Sequence, residues 1–253
     1  NYTPIVEPRI AQLYQQVFPH IDAFHAVSEA ISVEAQLYGA HPNKISLIHS
    51  PIPSEFFDTY SPIKISNSEV IRVIMVGRFH WIKGYKYALD ALHILKGKGM
   101  HVQITIVGPD SMTEAVHFQV HQLGLQDCVI LKPSLSQADL CEALKGHDIF
   151  LLSSLKEGIA NVVLEAMAVG LPVISTDCGG MAEVVSHKET GWLVPVRDSQ
   201  SIADAIIEVS ETSEAEMRRI TQNAHDFVKT HFNADDSIQK FLELYDRVMA
   251  IDA

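Results

Sequence analysis

The feature that most constrains the fold is a regular alternation of short β-rich runs and helical stretches from residue 70 onward. The β-rich runs cover residues 70–77, 102–108, 128–132, 148–153, 172–176 and 191–195. They are apolar on both faces, which is typical of strands in a parallel sheet that is covered by helices on both sides. The sequence therefore predicts an α/β fold with a doubly wound, Rossmann-like parallel sheet.

The segments that flank this alternation differ in character. Residues 1–50 contain two predicted helices and two short predicted strands, too little for an independent doubly wound domain. We interpret them as the remnant of a truncated N-terminal domain, since the chain begins with Asn rather than Met. Residues 51–69, rich in Pro and Ser, are predicted to be a linker, and residues 70–253 a complete domain that ends in helices. One apolar face is predicted on the last helix, formed by Ile238, Phe241, Leu242, Tyr245, Val248 and Met249.

Charge and composition exclude several classes of protein. The net charge of −12 argues against a general nucleic-acid binder, because such proteins need a basic face. No apolar run approaches the ~18 residues of a membrane-spanning helix, and no signal peptide is recognisable. Cys128, Cys141 and Cys178 are far apart and outside any CxxC pair, so we expect buried free thiols and a cytoplasmic location.

Candidate ligand-binding residues follow the first three predicted strands. In open parallel sheets, ligands bind beyond the carboxyl ends of the strands. Gly77, Arg78 and Lys83 follow the first strand, and two cations there suit an anion such as a diphosphate, although solvated surface charges are the alternative. Gly108 ends the second strand, where it either makes a turn or lets a ligand approach, and Lys132 ends the third. Neither a GxGxxG fingerprint nor a P-loop is present at these turns.

Two glutamates frame the next predicted helix. Asn161 is the candidate N-cap, residues 162–169 form the predicted helix, and Gly170 follows as its C′ residue. Glu157 then lies in the loop before the helix and Glu165 on its second turn, so they need not form a catalytic pair. A carboxylate can accept two hydroxyl hydrogen bonds, which suits a ribose or another sugar. The alternative is that both are exposed acids near a helix N-terminus.

The residues between these glutamates are small. Gly158 and Ala160 are predicted to leave room for a ligand to approach the backbone. The free N–H groups at the start of the helix form a site that complements phosphate. The loop is therefore predicted to bind an anionic group next to a hydroxyl-bearing one.

Residues 157–176, EGIANVVLEAMAVGLPVIST, resemble the E-x7-E region of retaining GT-B glycosyltransferases of family 4, the group 1 transferases. Arg78 and Lys83, in GRFHWIKG, stand where that family keeps the Arg and Lys that contact the donor diphosphate. The resemblance extends from residue 70 to the end, and residues 20–57 resemble the close of the family's N-terminal domain and its linker.

The resemblance implies a role for each of these positions. Arg78 and Lys83 would stabilise the leaving nucleoside diphosphate, Glu157 would contact hydroxyls of the transferred sugar, and Glu165 would bind the ribose hydroxyls. The catalytic residues implied are thus Arg78, Lys83 and Glu157. The donor-binding residues implied are Gly77, Gly108, Lys132, Leu135, Gly158, Ile159, Ala160, Asn161 and Glu165.

The resemblance also implies partners. The donor substrate would be a nucleotide-diphosphate sugar such as a UDP- or GDP-sugar, with no cofactor and no metal, and the sequence contains no D-x-D triplet that could hold one. A carbohydrate or lipid-linked acceptor, and peripheral membrane contact, would belong to the missing N-terminal domain. We therefore expect an inactive nucleotide-binding fragment of a transferase. A non-catalytic nucleotide- or sugar-binding module is the alternative.

Overall fold

A computed structural model describes residues 7–61, 69–108 and 114–250 of the chain. Residues 62–68, within the predicted linker, lie outside the described residues, as do residues 1–6, 109–113 and 251–253.

The N-terminal segment contains the helices and strands that the sequence predicts. Its elements are α1 (Pro8–Val17), β1 (Phe24–Ala26), α2 (Glu29–Leu37), β2 (Ile45–Leu47) and α3 (Ser54–Asp58). Strands β1 and β2 pair in parallel as a separate two-stranded sheet. Helix α2 begins after Ser28, whose Oγ accepts the backbone N–H of Ile31 at 3.1 Å and so satisfies one of the free donors of the first turn.

Helix α3 lies inside the stretch that the sequence predicts to be a linker. Phe56 on this helix is fully buried, and Ile52 just before it is nearly so. Both belong to an apolar cluster that also contains residues of the main sheet, and the N–H of Ile52 donates to the carbonyl of Phe232 at 2.9 Å. The division of the chain at residues 51–69 stays a prediction, but this part of it is packed against the larger unit.

The larger unit is built on a six-stranded sheet. In chain order it contains β3 (Ile71–Val76), α4 (Tyr85–Gly97), β4 (Val102–Val107), α5 (Glu114–Gln122), β5 (Val129–Lys132), α6 (Gln137–Lys145), β6 (Ile149–Leu152), α7 (Asn161–Val169), β7 (Val173–Thr176) and β8 (Trp192–Val194). Three helices follow the last strand, α8 (Ser199–Glu211), α9 (Glu214–His231) and α10 (Ala234–Met249).

All strands of this sheet are parallel, in the order β5-β4-β3-β6-β7-β8. Within this sheet the path of the chain starts at β3, runs outward through β4 to β5, and then returns to β6 on the other side of β3. The predicted doubly wound α/β fold is therefore confirmed. The strand order reverses between β3 and β6, and the carboxyl ends of these two strands border the crevice where open sheets of this kind bind ligands.

The sheet is buried on both faces, as its continuous apolar strands predict, except at the edge strand β5, where Ile130 and Leu131 are exposed. Val73 and Met75 belong to one apolar cluster together with helices α4 and α8, whereas Ile74 belongs to a second cluster with α6 and α7. Successive side chains of a strand point to opposite faces, so a single run of apolar residues serves both clusters.

Helix α10 returns to the N-terminal segment. Arg247 donates from Nη2 to Ser46 Oγ at 2.7 Å, and the rings of Phe241 and His25 lie 4.8 Å apart. Much of the predicted apolar face is nevertheless exposed to solvent, namely Ile238, Leu242, Tyr245 and Met249.

The three cysteines are free thiols, as predicted. Cys141 and Cys178 are buried and Cys128 is half-buried. Burial raises the pKa of the Cys178 thiol to about 11, so this thiol stays protonated at neutral pH.

No helix among the described residues is long and apolar enough to span a bilayer.

Candidate functional site

The loop after β3 is pressed against the end of β6. It contains a short 3-10 turn, Trp81–Lys83, and Gly84 follows in the left-handed conformation with φ of 64°. A Cβ on Gly84 would overlap the carbonyl oxygen of Ser153, and the Ser153 hydroxyl donates to the carbonyl of Lys83 at 2.9 Å. Glycine is therefore required at residue 84, because both the φ angle and the close approach exclude a side chain.

This packing brings together two predicted catalytic residues. Lys83 Nζ donates to Glu157 Oε1 at 2.7 Å, although 74 residues separate them in the sequence. Their side chains are 18% and 16% exposed, so the ion pair is largely shielded from solvent. Charge-assisted hydrogen bonds of this length are stronger than neutral ones. The crevice thus contains a cation and a carboxylate in direct contact.

A serine that sequence analysis missed lies beneath this pair. Ser154 is fully buried and donates from Oγ to Glu157 Oε1 at 2.7 Å. Its own carbonyl accepts the hydroxyl of Thr176 at 2.6 Å. The serine lies three residues before Glu157, but only the three-dimensional loop shows that its hydroxyl meets the carboxylate.

Tyr85 supports the same loop from behind. Its hydroxyl donates to the carbonyl of Gly77 at 2.8 Å. Burial, with a smaller contribution from the charge of Glu157, raises the pKa of Tyr85 above its ordinary value. The phenol therefore stays protonated and keeps donating at neutral pH.

A pocket of about 250 Å³ opens beside this loop, between the ends of β3 and β4 and the segment after β5. Four of the predicted site residues line it, Gly77, Arg78, Gly108 and Leu135, together with Val76, Val107, Ser134 and Leu140. A Cβ on Gly108 would lie 2.6 Å from the carbonyl oxygen of Gly77, so the absence of a side chain lets the ends of β3 and β4 approach closely.

Two predicted cations are open to solvent. Arg78 is exposed at the rim of this pocket, and Lys132 is exposed at the end of β5 and does not line the pocket. The structure therefore brings Arg78 to the pocket, whereas Lys132 is not among its lining residues.

Glu165 is a partly buried carboxylate on the second turn of α7. Burial raises its pKa above the ordinary value, because removing the charged form from water is unfavourable. No residue in the described part of the chain forms a hydrogen bond or ion pair with it. This acceptor is thus available to a ligand.

The predicted cap of α7 is wrong. The helix begins at Asn161, Ala160 is the N-cap, and no side-chain hydrogen bond caps the first turn within the described chain. Asn161 is exposed on the first turn. Its side chain therefore does not close the helix start, and the amides there are not satisfied by a side-chain cap.

The small residues before α7 are explained by packing within the chain. A Cβ on Gly158 would lie 3.0 Å from Cγ2 of Val27, so the N-terminal segment occupies the space that was expected to admit a ligand. Ala160 is buried, and its N–H points at the sulfur of Met181 at 3.4 Å. Ile159 is half-buried. The expected approach of a ligand to Gly158 and Ala160 therefore competes with contacts already made.

A glutamate after β7 joins the N-terminal segment to this loop. Glu183 accepts the backbone N–H groups of Glu29 and Ala30, both at 2.9 Å, at the start of α2. The neighbouring Gly180 donates to the carbonyl of Gly158 at 2.8 Å. A second link is the ion pair of Lys156 and Glu34 at 2.8 Å. The loop between β6 and α7, residues 153–160, which we call the Glu157 loop, is therefore held between α2 and the segment that contains Glu183.

We expect Glu183→Ala to destabilise the chain by about 1–2 kcal/mol, because two amides at the start of α2 lose their acceptor. Urea unfolding checks this. Glu211→Ala, which removes an exposed carboxylate at the end of α8, is the control and should stay within about 0.5 kcal/mol of the parent. Equal stability of the two variants would contradict the capping role of Glu183.

Within residues 7–61, 69–108 and 114–250, no group of three His, Cys, Asp or Glu side chains is arranged to hold a metal ion.

A crevice at the reversal of strand order in a doubly wound sheet is common to many classes of protein, and comparison with known proteins identifies the family. Residues 56–227 match the family model of glycosyl transferases group 1. The chain belongs to this family, and its architecture is that of GT-B glycosyltransferases.

Three relatives illustrate the similarity. Over 241 residues the chain is 29% identical to the amylovoran biosynthesis glycosyltransferase AmsK of Erwinia amylovora, covering 93% of this chain and 58% of AmsK. Over 256 residues it is 26% identical to an N,N'-diacetylbacillosaminyl-diphospho-undecaprenol alpha-1,3-N-acetylgalactosaminyltransferase of Campylobacter jejuni, covering 95% of this chain and 64% of the relative. The crystal structure of HepE from Anabaena, in complex with UDP and glucose, superposes with a TM-score of 0.82 at 21% identity, covering 96% of this chain and 69% of HepE. The chain thus spans about 60% of the length of the two sequence relatives.

Proposed function

We propose that this chain is the donor-binding part of a retaining family 4 glycosyltransferase, which transfers a sugar from a nucleoside-diphosphate sugar to an acceptor. The observation that carries the proposal is the contact of Lys83 and Glu157 at the point where the strand order reverses. It joins a cation that suits a diphosphate to a carboxylate that suits sugar hydroxyls, on the loops after two adjacent strands.

The diphosphate would be bound by Lys83 and Arg78. Both follow β3, and in a chain with a net charge of −12 such local cations are what makes an anion site favourable. As the bond between the sugar and the diphosphate breaks, negative charge grows on the leaving group, and fixed cations stabilise it without a metal.

The nucleoside would occupy the pocket between the β3 and β5 ends. Its walls include Val76, Val107, Leu135 and Leu140, which offer apolar surface to a base. Lys132 would border the base from the end of β5. Glu165 would accept the two ribose hydroxyls, since its carboxylate has no partner among the described residues and two hydroxyl donors would compensate its burial.

The transferred sugar would meet Glu157 and the backbone amides of Ile159 and Asn161. The Ala160 amide is less suited than its neighbours, because it is buried and points at Met181. In the bound state Lys83 would turn from Glu157 toward the diphosphate, which frees Glu157 for the sugar hydroxyls. Retention would place the acceptor on the face of the sugar that the diphosphate leaves.

The acceptor would be a carbohydrate or lipid-linked sugar that is bound mainly by sequence outside these 253 residues. The name of the Campylobacter relative, which includes a diphospho-undecaprenol, supports a lipid-linked class and peripheral membrane contact. We propose a cytoplasmic protein in which this chain alone binds donor without transferring sugar, since it spans only part of its relatives and no described residue is assigned as a general base.

Calorimetric titration with UDP, GDP and ADP tests the proposal. We expect one of them to bind with a Kd below about 1 mM, and the UDP in the HepE complex makes UDP the first probe. Lys83→Ala should weaken that binding about 10- to 100-fold, because a charge-assisted contact is lost. Lys98→Ala is the control, since Lys98 pairs with Asp204 on the surface. Failure of all three nucleotides to bind, or equal effects of the two lysine variants, would refute the assignment.

A further inference from the structure

Both hydrogen-bond donors to Glu157 contact the same carboxylate oxygen, which leaves the other oxygen without a donor among the described residues. Lys83 Nζ and Ser154 Oγ both lie 2.7 Å from Oε1, and no described residue donates to Oε2. A carboxylate oxygen without a donor can accept from a ligand. The orientation of Oε2 is therefore set by the groups that hold Oε1.

Ser154 is the more firmly held of the two donors. It is fully buried, and its carbonyl is fixed by the hydroxyl of Thr176, which is itself fully buried at the end of β7. Lys83 has a long side chain at the crevice and is one of the two cations that a diphosphate would attract. A ligand can therefore draw Lys83 away, whereas it cannot reach Ser154.

We propose that Ser154 is a positioning residue, which holds Oε1 of Glu157 so that Oε2 meets a hydroxyl of the transferred sugar while Lys83 turns to the diphosphate. This inference rests on the proposed function. The Ser154 hydroxyl must donate to the carboxylate, because an ionised carboxylate can only accept. The Ser154 hydroxyl does not contact the ligand itself and acts only through Glu157.

The donors to Glu157 Oε1 change when the ligand binds. Before the ligand arrives, Lys83 and Ser154 share Oε1; afterwards Ser154 alone keeps the carboxylate in place. Without Ser154, Glu157 loses its remaining donor when Lys83 leaves. Removal of the Ser154 hydroxyl is therefore expected to reduce the contribution of the sugar to affinity and to leave the contribution of the nucleoside diphosphate unchanged.

The test compares the Kd of a nucleoside diphosphate with that of its sugar derivative. The probes are UDP with UDP-glucose, GDP with GDP-mannose and ADP with ADP-glucose, and the pair that the parent chain binds best is used. The measured quantity is the Kd of the nucleoside diphosphate divided by the Kd of its sugar derivative, determined by calorimetry on the full 253-residue chain. In the parent, the sugar derivative should bind more tightly.

Ser154→Ala should lower this ratio about 10-fold, as expected for a lost hydrogen bond to a charged group, with the Kd of the diphosphate changed less than about 2-fold. Ser154→Thr, which keeps the hydroxyl, should restore the ratio and provides a measurement if the alanine variant does not fold. Ser175→Ala is the matched control, because Ser175 is a fully buried serine that donates to the carbonyl of Thr176 and does not contact Glu157.

An unchanged ratio in Ser154→Ala overturns the positioning role, and so does an equal loss of affinity for both ligands. If the parent chain binds no diphosphate, the proposed function is overturned as well. The titration of the parent therefore distinguishes failure of the proposed function from failure of the Ser154 role alone.

Discussion

Replacing Glu165 with glutamine is expected to weaken binding of the nucleoside diphosphate about 10- to 100-fold and to raise the melting temperature of the unliganded chain. We expect affinity to fall because an amide offers one acceptor oxygen and no charge to the two ribose hydroxyls that we propose Glu165 binds. Stability rises because the partly buried carboxylate has no partner among the described residues, and burial raises its pKa. Since ~1 kcal/mol displaces Tm by roughly 2–4 °C in a chain of this size, we expect a gain of about 2 °C.

The stability gain should depend on pH. A group whose folded-state pKa is raised contributes stability that is present below its ordinary pKa, here 4.5, and is lost as pH rises through the folded value. The Tm difference between Glu165→Gln and the parent should therefore be small below pH 4.5 and largest at neutral pH. Thermal melts at both pH values measure it, with the exposed Glu211→Gln as the control. A lower Tm for Glu165→Gln at neutral pH would show that Glu165 stabilises the unliganded fold.

Gly179→Ala is expected to destabilise the chain by about 3 kcal/mol or more and to abolish binding of the nucleotide sugar. Gly179 has φ of 62°, and a Cβ there would overlap the carbonyl oxygen of Glu157. The neighbour is backbone, so relief requires the Glu157 loop to move away from Lys83 and Ser154. Strain at φ and the steric overlap therefore act on the same loop.

Two glycines serve as matched controls for this variant. Gly124 also has positive φ, 66°, but a Cβ there meets nothing within 4 Å, so Gly124→Ala measures the conformational cost alone, about 1 kcal/mol. Gly97, at the end of α4, has open space and no positive φ, and Gly97→Ala should be neutral or stabilising. Urea unfolding ranks the three. If Gly179→Ala costs no more than Gly124→Ala, the close approach to Glu157 is not a constraint.

The order of elements was predictable because it depends on local pattern. The apolar runs predicted the strands of the sheet, and Gly170, with φ of 88°, ends α7 where the sequence indicated. Parallel topology then assigned Arg78, Lys83 and Glu157 to strand ends on one side of the sheet. These inferences needed only periodicity and the rule that ligands bind at those ends.

Contacts between distant segments were not predictable in this way. The buried Phe56 gave no local signal that α3 would form within a Pro- and Ser-rich stretch, because its partners come from the sheet unit. Glu183 acts on α2, more than 150 residues earlier in the chain. Gly158 was ascribed to ligand approach, although Val27 supplies the neighbour that excludes a side chain. In each case the deciding atom lies on an element that sequence spacing does not place.

A crystal structure of this chain with the nucleoside diphosphate that binds best tests the position of the donor most directly. We predict the base in the pocket lined by Val107 and Leu135, the ribose hydroxyls within hydrogen-bond distance of Glu165, and the diphosphate against Lys83 and Arg78. We also predict that Lys83 has left Glu157 while Ser154 still donates to it. A nucleotide bound elsewhere, or one bound with the Lys83–Glu157 ion pair intact, would contradict the proposed binding of the donor.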